Sequence, residues 1–187
     1  MDEMTEGAVR RKARLAGLFY ALDIVTGALS LFLAGKGLGT YADAANLVAT
    51  GSYVVVVLLF FQLFKPVNAN LSALAAAIGL VGCALGALAV FDIRPGGLNP
   101  LVFFGAYCLL IGFLILKSSF LPSLLGILMI IGGLGWLTFL STTVAGQLKP
   151  WNMLPGVLGE TALTVWLLAK GVNASRWLTQ PIAPRVS

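Results

Sequence analysis

The chain of 187 residues contains no histidine and only two cysteines. Without an imidazole it cannot build a histidine-ligated haem, a histidine-containing zinc or iron site, or a Ser-His-Asp or Cys-His catalytic unit. Cys83 and Cys108 lie far apart in apolar stretches, without the C-x-x-C spacing of a redox pair or a thiolate metal site. We therefore expect no metal site and no cofactor, and we interpret both cysteines as small packing residues.

Charge is also scarce. Only 10% of the residues are Asp, Glu, Lys or Arg, whereas 59% are hydrophobic and the mean hydropathy is +0.96. Soluble domains carry roughly a quarter charged residues, and a soluble chain of this length has too little interior to bury so much apolar surface. The composition therefore predicts an all-α, polytopic membrane protein.

Six apolar stretches are long enough to cross a membrane, which needs about 20 helical residues for a hydrocarbon core of roughly 30 Å. They predict six transmembrane helices, at approximately 13–34, 46–64, 71–91, 98–116, 121–141 and 151–169. The transmembrane domain then covers residues 13–171, between an N-terminal tail (1–12) and a C-terminal tail (172–187). The basic cluster before the first stretch resembles the start of a signal peptide, but the stretch is long and contains Asp23, so we predict an uncleaved first helix.

The distribution of Lys and Arg predicts the orientation. With the N-terminus in the cytoplasm, that side carries nine of them: Arg10, Arg11, Lys12, Arg14, Lys65, Lys117, Lys170, Arg176 and Arg185. The other side carries three: Lys36, Arg94 and Lys149. We therefore expect both termini to be cytoplasmic. Basic residues at the ends of apolar runs would meet anionic lipid headgroups, so we expect membrane lipids as partners and no nucleic acid, and the sequence names no protein partner.

Two acidic residues, Asp23 and Glu160, interrupt the predicted spans. An aspartate at a helix centre costs at least about 2.5–3.5 kcal/mol on insertion scales, so each acid is a candidate functional group. Asp23 lies nine residues after Arg14, and Glu160 lies ten residues before Lys170. At 1.5 Å per residue both acids are roughly 14–15 Å from the cytoplasmic end, near the middle of the membrane. We predict that they face the bundle interior at the same depth.

Polar residues share the helix face of each acid. Tyr20 lies one turn before Asp23, and Asn152 and Thr164 recur at intervals of four around Glu160. These three are predicted to line a substrate cavity, and three further polar residues within the spans are weaker candidates: Asn46, Gln62 and Tyr107. No Lys, Arg or His lies within any span to neutralise the acids. Because burial disfavours a charged carboxylate, we expect protonated carboxyls at neutral pH, or one proton shared by the pair.

Three interpretations follow. In the first, the acids line an intramembrane site that binds or transports a small lipophilic, cationic or proton-coupled solute, with Glu160 as the main proton or cation acceptor. In the second, they are the acid and base of a membrane-embedded enzyme, of the cyclase or isomerase type, acting on a lipophilic substrate. In the third, protonated acids simply join helices in a structural or assembly subunit.

Several segments resemble a bacterial membrane family known only as domain of unknown function 4386. They are residues 11–20, 63–68, 103–112 running into 119–126, and 159–171. The likeness extends over nearly the whole chain and implies a six-span protein of the bacterial cytoplasmic membrane, with the segment around Glu160 as a family feature. It implies no activity.

Overall fold

A computed structural model describes residues 3–180, and this part of the chain consists of helices and turns, with no β-strand in it. Its α-helices are α1 (Glu3–Gly35), α2 (Gly39–Phe64), α3 (Ala69–Val90), α4 (Pro100–Lys117), α5 (Ser123–Leu137), α6 (Thr142–Leu148), α7 (Leu154–Ala169) and α8 (Ala174–Leu178). Single 3-10 turns occur at Pro95–Gly97 and Thr138–Leu140. The predicted all-α class is confirmed.

Five helices are long and apolar enough to cross a membrane: α1, α2, α3, α4, and α5 together with the 3-10 turn that follows it. The sixth predicted span corresponds to α7, an apolar helix of 16 residues. Its length is about 24 Å, somewhat less than a typical hydrocarbon core. The fold is thus that of a polytopic helical membrane protein with five long apolar helices and one shorter apolar helix.

The helices differ from the apolar stretches mainly at their starts. α1 begins at Glu3, well before the apolar run at Ala13, because a helix needs backbone hydrogen bonds and good helix formers rather than apolarity. α2 likewise begins at Gly39 rather than at residue 46. α7 begins only at Leu154, with Pro155 in its first turn, where a proline fits without breaking the helix.

Asparagine side chains define three other helix starts. Asn68 Oδ1 accepts a hydrogen bond from the Leu71 amide at 2.9 Å, and Asn99 Oδ1 accepts one from Leu101 at 3.0 Å. Asn173 does the same for α8, a short helix within the region predicted as the C-terminal tail. Each cap satisfies an amide that has no partner inside its helix.

The long helices and α7 form a closed ring. In ring order, α1, α2, α3, α4, α5 and α7 each pack against the next, and α7 returns to α1. The turns between α1 and α5 are short, which makes sequential neighbours antiparallel. α6 packs on the 3-10 turn after α5, and α8 packs against α1. Side chains from both halves of the chain therefore meet inside the ring.

One end of the ring gathers the turns after α2 and α4 with the segment after α7. The Trp177 indole donates to the Leu63 carbonyl at 2.7 Å, and the Asn173 amide donates to the Phe120 carbonyl at 3.2 Å. This end, which we call the basic end, carries eight of the nine basic residues predicted on one side. The ninth, Arg185, lies outside the described residues. Lys36, Arg94 and Lys149 are in turns at the opposite end.

Glycines set the spacing between α4 and α5. A Cβ atom on Gly112 would lie 2.7 Å from the Gly126 carbonyl oxygen, and one on Gly126 would lie 2.7 Å from that of Gly112. Gly105 and Gly133 face each other in the same way, with distances of 2.9 and 2.7 Å. The two contacts are seven residues apart on each helix, so the helices touch backbone to backbone over two turns.

The outside of the ring is apolar and exposed. Its surface exposes large apolar side chains, among them Val25, Phe32, Leu124, Leu134 and Val165. Soluble monomers rarely expose contiguous apolar surface on this scale. The interior, in contrast, contains aromatic and polar residues, an arrangement that suits a lipid surrounding.

We predict that Gly112→Ala destabilises the fold, because its Cβ would collide with the α5 backbone. Overpacking of this kind costs roughly 1–3 kcal/mol. Thermal unfolding in detergent micelles measures the effect. Gly51→Ala on α2 is the control, since nothing lies within 4 Å of a Cβ there. Equal melting temperatures for the two variants would contradict the close contact.

Candidate functional site

Both predicted acids line one internal cavity of about 140 Å³. It lies between five helices, and its wall consists of Asp23, Gly27, Asn46, Ala49, Thr50, Tyr53, Leu101, Phe104, Trp136 and Glu160. Asp23 and Glu160 are both partly buried. The structure therefore brings the two carboxyls to the same internal space although they are separated by most of the chain.

Glu160 is held by side chains from two other helices. The Trp136 indole N–H of α5 donates to Glu160 Oε1 at 2.9 Å. The Cys108 thiol of α4 donates to the same oxygen, with an Sγ–Oε1 distance of 3.6 Å. No described residue donates a hydrogen bond to Oε2. One carboxyl oxygen is thus anchored by protein, and the other is left for the cavity.

Gly156 makes the Trp136 contact possible. It lies one turn before Glu160 on α7, and a Cβ there would overlap the Trp136 indole nitrogen. Cys108, which its apolar surroundings predict to be a packing residue, is therefore also a donor to Glu160, and no sequence pattern predicts a role for Trp136. A lone tryptophan in an apolar span carries no periodic signal, so its pairing with Glu160 is visible only in the fold.

Asp23 has a different environment. None of the described side chains donates a hydrogen bond to its carboxyl, and the neighbouring Thr26 hydroxyl donates instead to the Leu22 carbonyl at 2.7 Å. Gly27, one turn further along α1, leaves open space on the cavity wall. The single ion pair within residues 3–180 joins Arg10 and Glu6, outside the site. Neither acid is therefore neutralised by a basic side chain of this region.

Three buried tyrosines surround the acids. The ring centroids of Tyr20 and Tyr53 are 5.6 Å apart, and those of Tyr53 and Tyr107 are 5.7 Å apart, with edge-on geometry in both pairs. All three hydroxyls are buried without a hydrogen-bond partner, and that of Tyr20 lies near the Glu160 carboxyl. Leaving a buried hydroxyl unpaired costs about 1–3 kcal/mol, so the cluster is costly as packing alone. Of the three, Tyr53 is part of the cavity wall.

None of the three predicted lining residues is part of the cavity wall. Tyr20 is fully buried in the tyrosine cluster. Thr164 is buried one turn from Glu160 toward the basic end, off the cavity wall, and its hydroxyl has no partner. Asn152 lies in the turn before α7, where its Nδ2 donates to Thr138 Oγ1 at 2.8 Å. It ties α7 to the end of α5 and does not line the cavity. Among the weaker candidates Asn46 lines it, Tyr107 belongs to the tyrosine cluster and Gln62 is exposed.

The cavity extends from the acids toward the end opposite the basic end. Its wall uses the second half of α1 and the first halves of α2, α4 and α7. On the other side of the acids the ring is filled by side chains that are at most 1% exposed, including Phe60, Phe64, Met129, Leu163 and Leu167. A polar solute at the acids is therefore separated from the basic end by a packed apolar layer.

Apolar helices that enclose acids and tyrosines define this chain as a polytopic helical membrane protein with a polar interior. It belongs to the family described as Domain of unknown function (DUF4386), whose model matches residues 95–171. The match includes Cys108, Trp136 and Glu160 but not Asp23. The family resemblance found in the sequence is confirmed.

A relative lies outside bacteria. An uncharacterized protein of Archaeoglobus fulgidus is 30% identical over 134 residues, which cover 68% of this chain and 82% of the relative. No solved structure matches the chain.

We predict that Gly156→Ala changes the fluorescence of Trp136, because a methyl group would push the indole away from Glu160. The measurement uses a variant in which Trp151, Trp166 and Trp177 are replaced by Phe, leaving Trp136 as the single emitter. The emission maximum should shift in Gly156→Ala. The control is Gly146→Ala on α6, where a Cβ meets nothing within 4 Å. An unchanged maximum in both would contradict the indole–carboxyl contact.

Proposed function

We propose that this chain binds and transports a small cationic or proton-coupled solute at Asp23 and Glu160. The main observation in support of the proposal is that both acids line a single cavity and have no basic partner among the described residues. A charged carboxylate without a partner is strongly disfavoured inside a membrane. The pair is therefore neutral only when it holds protons or a bound cation.

Competition between these two states is the basis of the proposed coupling. A cation that enters the cavity releases a proton from a carboxyl, and its departure requires that a proton returns. Glu160 Oε2 and the Asp23 carboxyl, which receive no hydrogen bond from described side chains, are the proposed acceptors. The hydroxyl of Tyr53, which also lines the cavity, is a further polar contact in this proposal.

The size of the cavity limits the solute. A volume of about 140 Å³ corresponds to four or five water molecules at roughly 30 Å³ each. Pockets for drug-sized ligands measure about 300–1,000 Å³. The site suits hydrated protons or a small ammonium group, and a larger lipophilic solute would require the helices to separate. The substrate of a cyclase or isomerase would not fit, which makes the enzymatic interpretation weaker.

A structural role is the second candidate, and the Trp136–Glu160 hydrogen bond favours it. That bond joins α5 to α7 and fits closely over Gly156. A structural role, however, explains the position of Glu160 and not that of Asp23. Asp23 has no comparable partner, so a purely structural role leaves its position on the cavity wall without a reason.

We further propose six spans, with the basic end in the cytoplasm of a bacterial cell and both termini there. α7 closes the ring between α5 and α1, so it is the natural sixth span despite its 16 residues. A mismatch of a few Å is accommodated by local thinning of the bilayer at modest cost. The excess of basic residues at one end supports the orientation.

We predict that the purified wild-type protein, reconstituted in vesicles, catalyses a proton flux across the membrane that depends on an added cation. The Glu160→Gln and Asp23→Asn variants should lack this flux. Each substitution removes an exchangeable proton while keeping side-chain size. A pH-sensitive dye inside the vesicles reports the flux during addition of small ammonium compounds. Mass spectrometry of small molecules that co-purify with the wild type identifies candidates without a prior guess.

Asp43→Asn is the matched control, since Asp43 is an exposed acid at the start of α2. It should retain the flux and the co-purified molecules. Loss of thermal stability in Glu160→Gln, together with no flux and no co-purified solute in the wild type, would favour the structural role. Flux that persists in both site variants would exclude the proposal.

The orientation predicts how single cysteines react with a membrane-impermeant maleimide on intact bacterial cells. Gly37→Cys and Gly146→Cys lie in the segments opposite the basic end and should be labelled. Ser119→Cys, at the basic end, should be labelled only after the cells are permeabilised. The parent protein is the control, because Cys83 and Cys108 are buried. The reverse pattern would invert the topology.

A further inference from the structure

A second site lies at the basic end, where α1 crosses α7. We propose that it binds one anionic phospholipid, with the phosphate held by Arg10, Arg14 and Lys170 and an acyl chain along neighbouring leucines. This inference is independent of the acidic site, which lies on the other side of the packed apolar layer.

The headgroup part is a cavity of about 390 Å³. Its wall combines three basic side chains with polar groups of the segment after α7: Arg10, Arg14, Phe120, Trp166, Lys170, Gly171, Val172, Asn173 and Ser175. Guanidinium groups present paired N–H donors that match phosphate oxygens, and a lysine adds a point charge. The cavity is thus suited to a phosphate group.

The acyl part is an adjoining groove of about 520 Å³. It shares Arg10 and Arg14 with the headgroup cavity and continues over Leu15, Leu18 and Leu168. Arg10, Arg14 and Leu18 follow each other at intervals of four on α1, so one helix face changes from cationic to apolar along its length. Leu18 and Leu168 are 56% and 40% exposed. A phospholipid can contact both the cationic and the apolar part of this surface, whereas a free phosphate can contact only the cationic part.

The charge at the site is uneven. Arg10, Arg11, Arg14 and Lys170 line the two spaces, and the acid in contact with them is Glu6, whose Oε2 lies 3.4 Å from an Arg10 guanidinium nitrogen. No such ion pair involves Arg14 or Lys170 within the described part of the chain. The excess positive charge selects an anionic headgroup over a zwitterionic one.

Close helix packing fixes the floor of the site. A Cβ on Gly17 would lie 3.0 Å from Leu167 Cβ and 3.1 Å from Leu168 Cγ, so α1 and α7 touch immediately below the arginines. The basic side chains and the leucine groove are therefore held in a constant relation, as a specific lipid site requires.

The test compares lipid retention by native mass spectrometry of the full chain, after titration with phosphatidylglycerol or phosphatidylcholine in mixed micelles. The double variant Arg10→Gln/Arg14→Gln should bind phosphatidylglycerol at least about tenfold more weakly, since each cation near an anionic headgroup contributes on the order of 1 kcal/mol, a factor of about five. Lys65→Gln/Lys117→Gln removes the same charge from the same end and should change binding less than about twofold.

Two further measurements distinguish binding of a whole phospholipid from binding of a phosphate group alone. Inorganic phosphate at millimolar concentration should displace little phosphatidylglycerol, and Leu18→Asn should weaken lipid binding severalfold. Arg10→Lys/Arg14→Lys, which keeps the charge, should fall between the wild type and the glutamine variant. Equal losses in the two glutamine double variants would overturn the site in favour of diffuse attraction. Full competition by phosphate, with no effect of Leu18→Asn, would overturn the lipid assignment.

Discussion

The hydrogen bond from Trp136 to Glu160 is the interaction on which the interior of this protein depends. A carboxyl in an apolar ring needs either a donor or a proton, and no basic side chain among residues 3–180 pairs with this one. The indole supplies the donor to one oxygen, and Gly156 leaves the space for it. The second oxygen receives no hydrogen bond from a described side chain, and Glu160 shares its cavity with Asp23 and Tyr53.

The closed ring makes this centre possible. Five helices contribute to the cavity wall, and no two consecutive helices could enclose it alone. Glycine contacts between α4 and α5 bring the two helix backbones together on one side of the ring. The two ends of the ring therefore differ in chemistry, with a cavity toward one end and arginines above a packed layer at the other.

Much of this could be predicted from the sequence. Hydropathy locates the helices because crossing a membrane requires a run of apolar residues, and the rise of 1.5 Å per residue places Asp23 and Glu160 at one depth. Helix starts were less predictable. α1 and α2 begin in polar sequence, and α7 begins late, because capping and propensity rather than apolarity decide where a helix starts.

The lining of the site was only partly predictable. Spacings of three and four residues place Tyr20 beside Asp23 and Thr164 beside Glu160, and both side chains are buried. The same spacing misassigned Asn152, which precedes the first turn of α7 and bonds to Thr138. A periodic argument holds only where the helix actually continues.

The sequence by itself determined the class of the protein, the presence of two acids within its apolar helices and the absence of any histidine chemistry. These follow from composition and from distances along single helices. Only the tertiary structure decided that Trp136 and Cys108 bind Glu160, that Tyr53 joins the site and that the cavity extends toward one end. Such pairings join helices far apart in sequence, and they depend on how the ring closes, which no local pattern encodes.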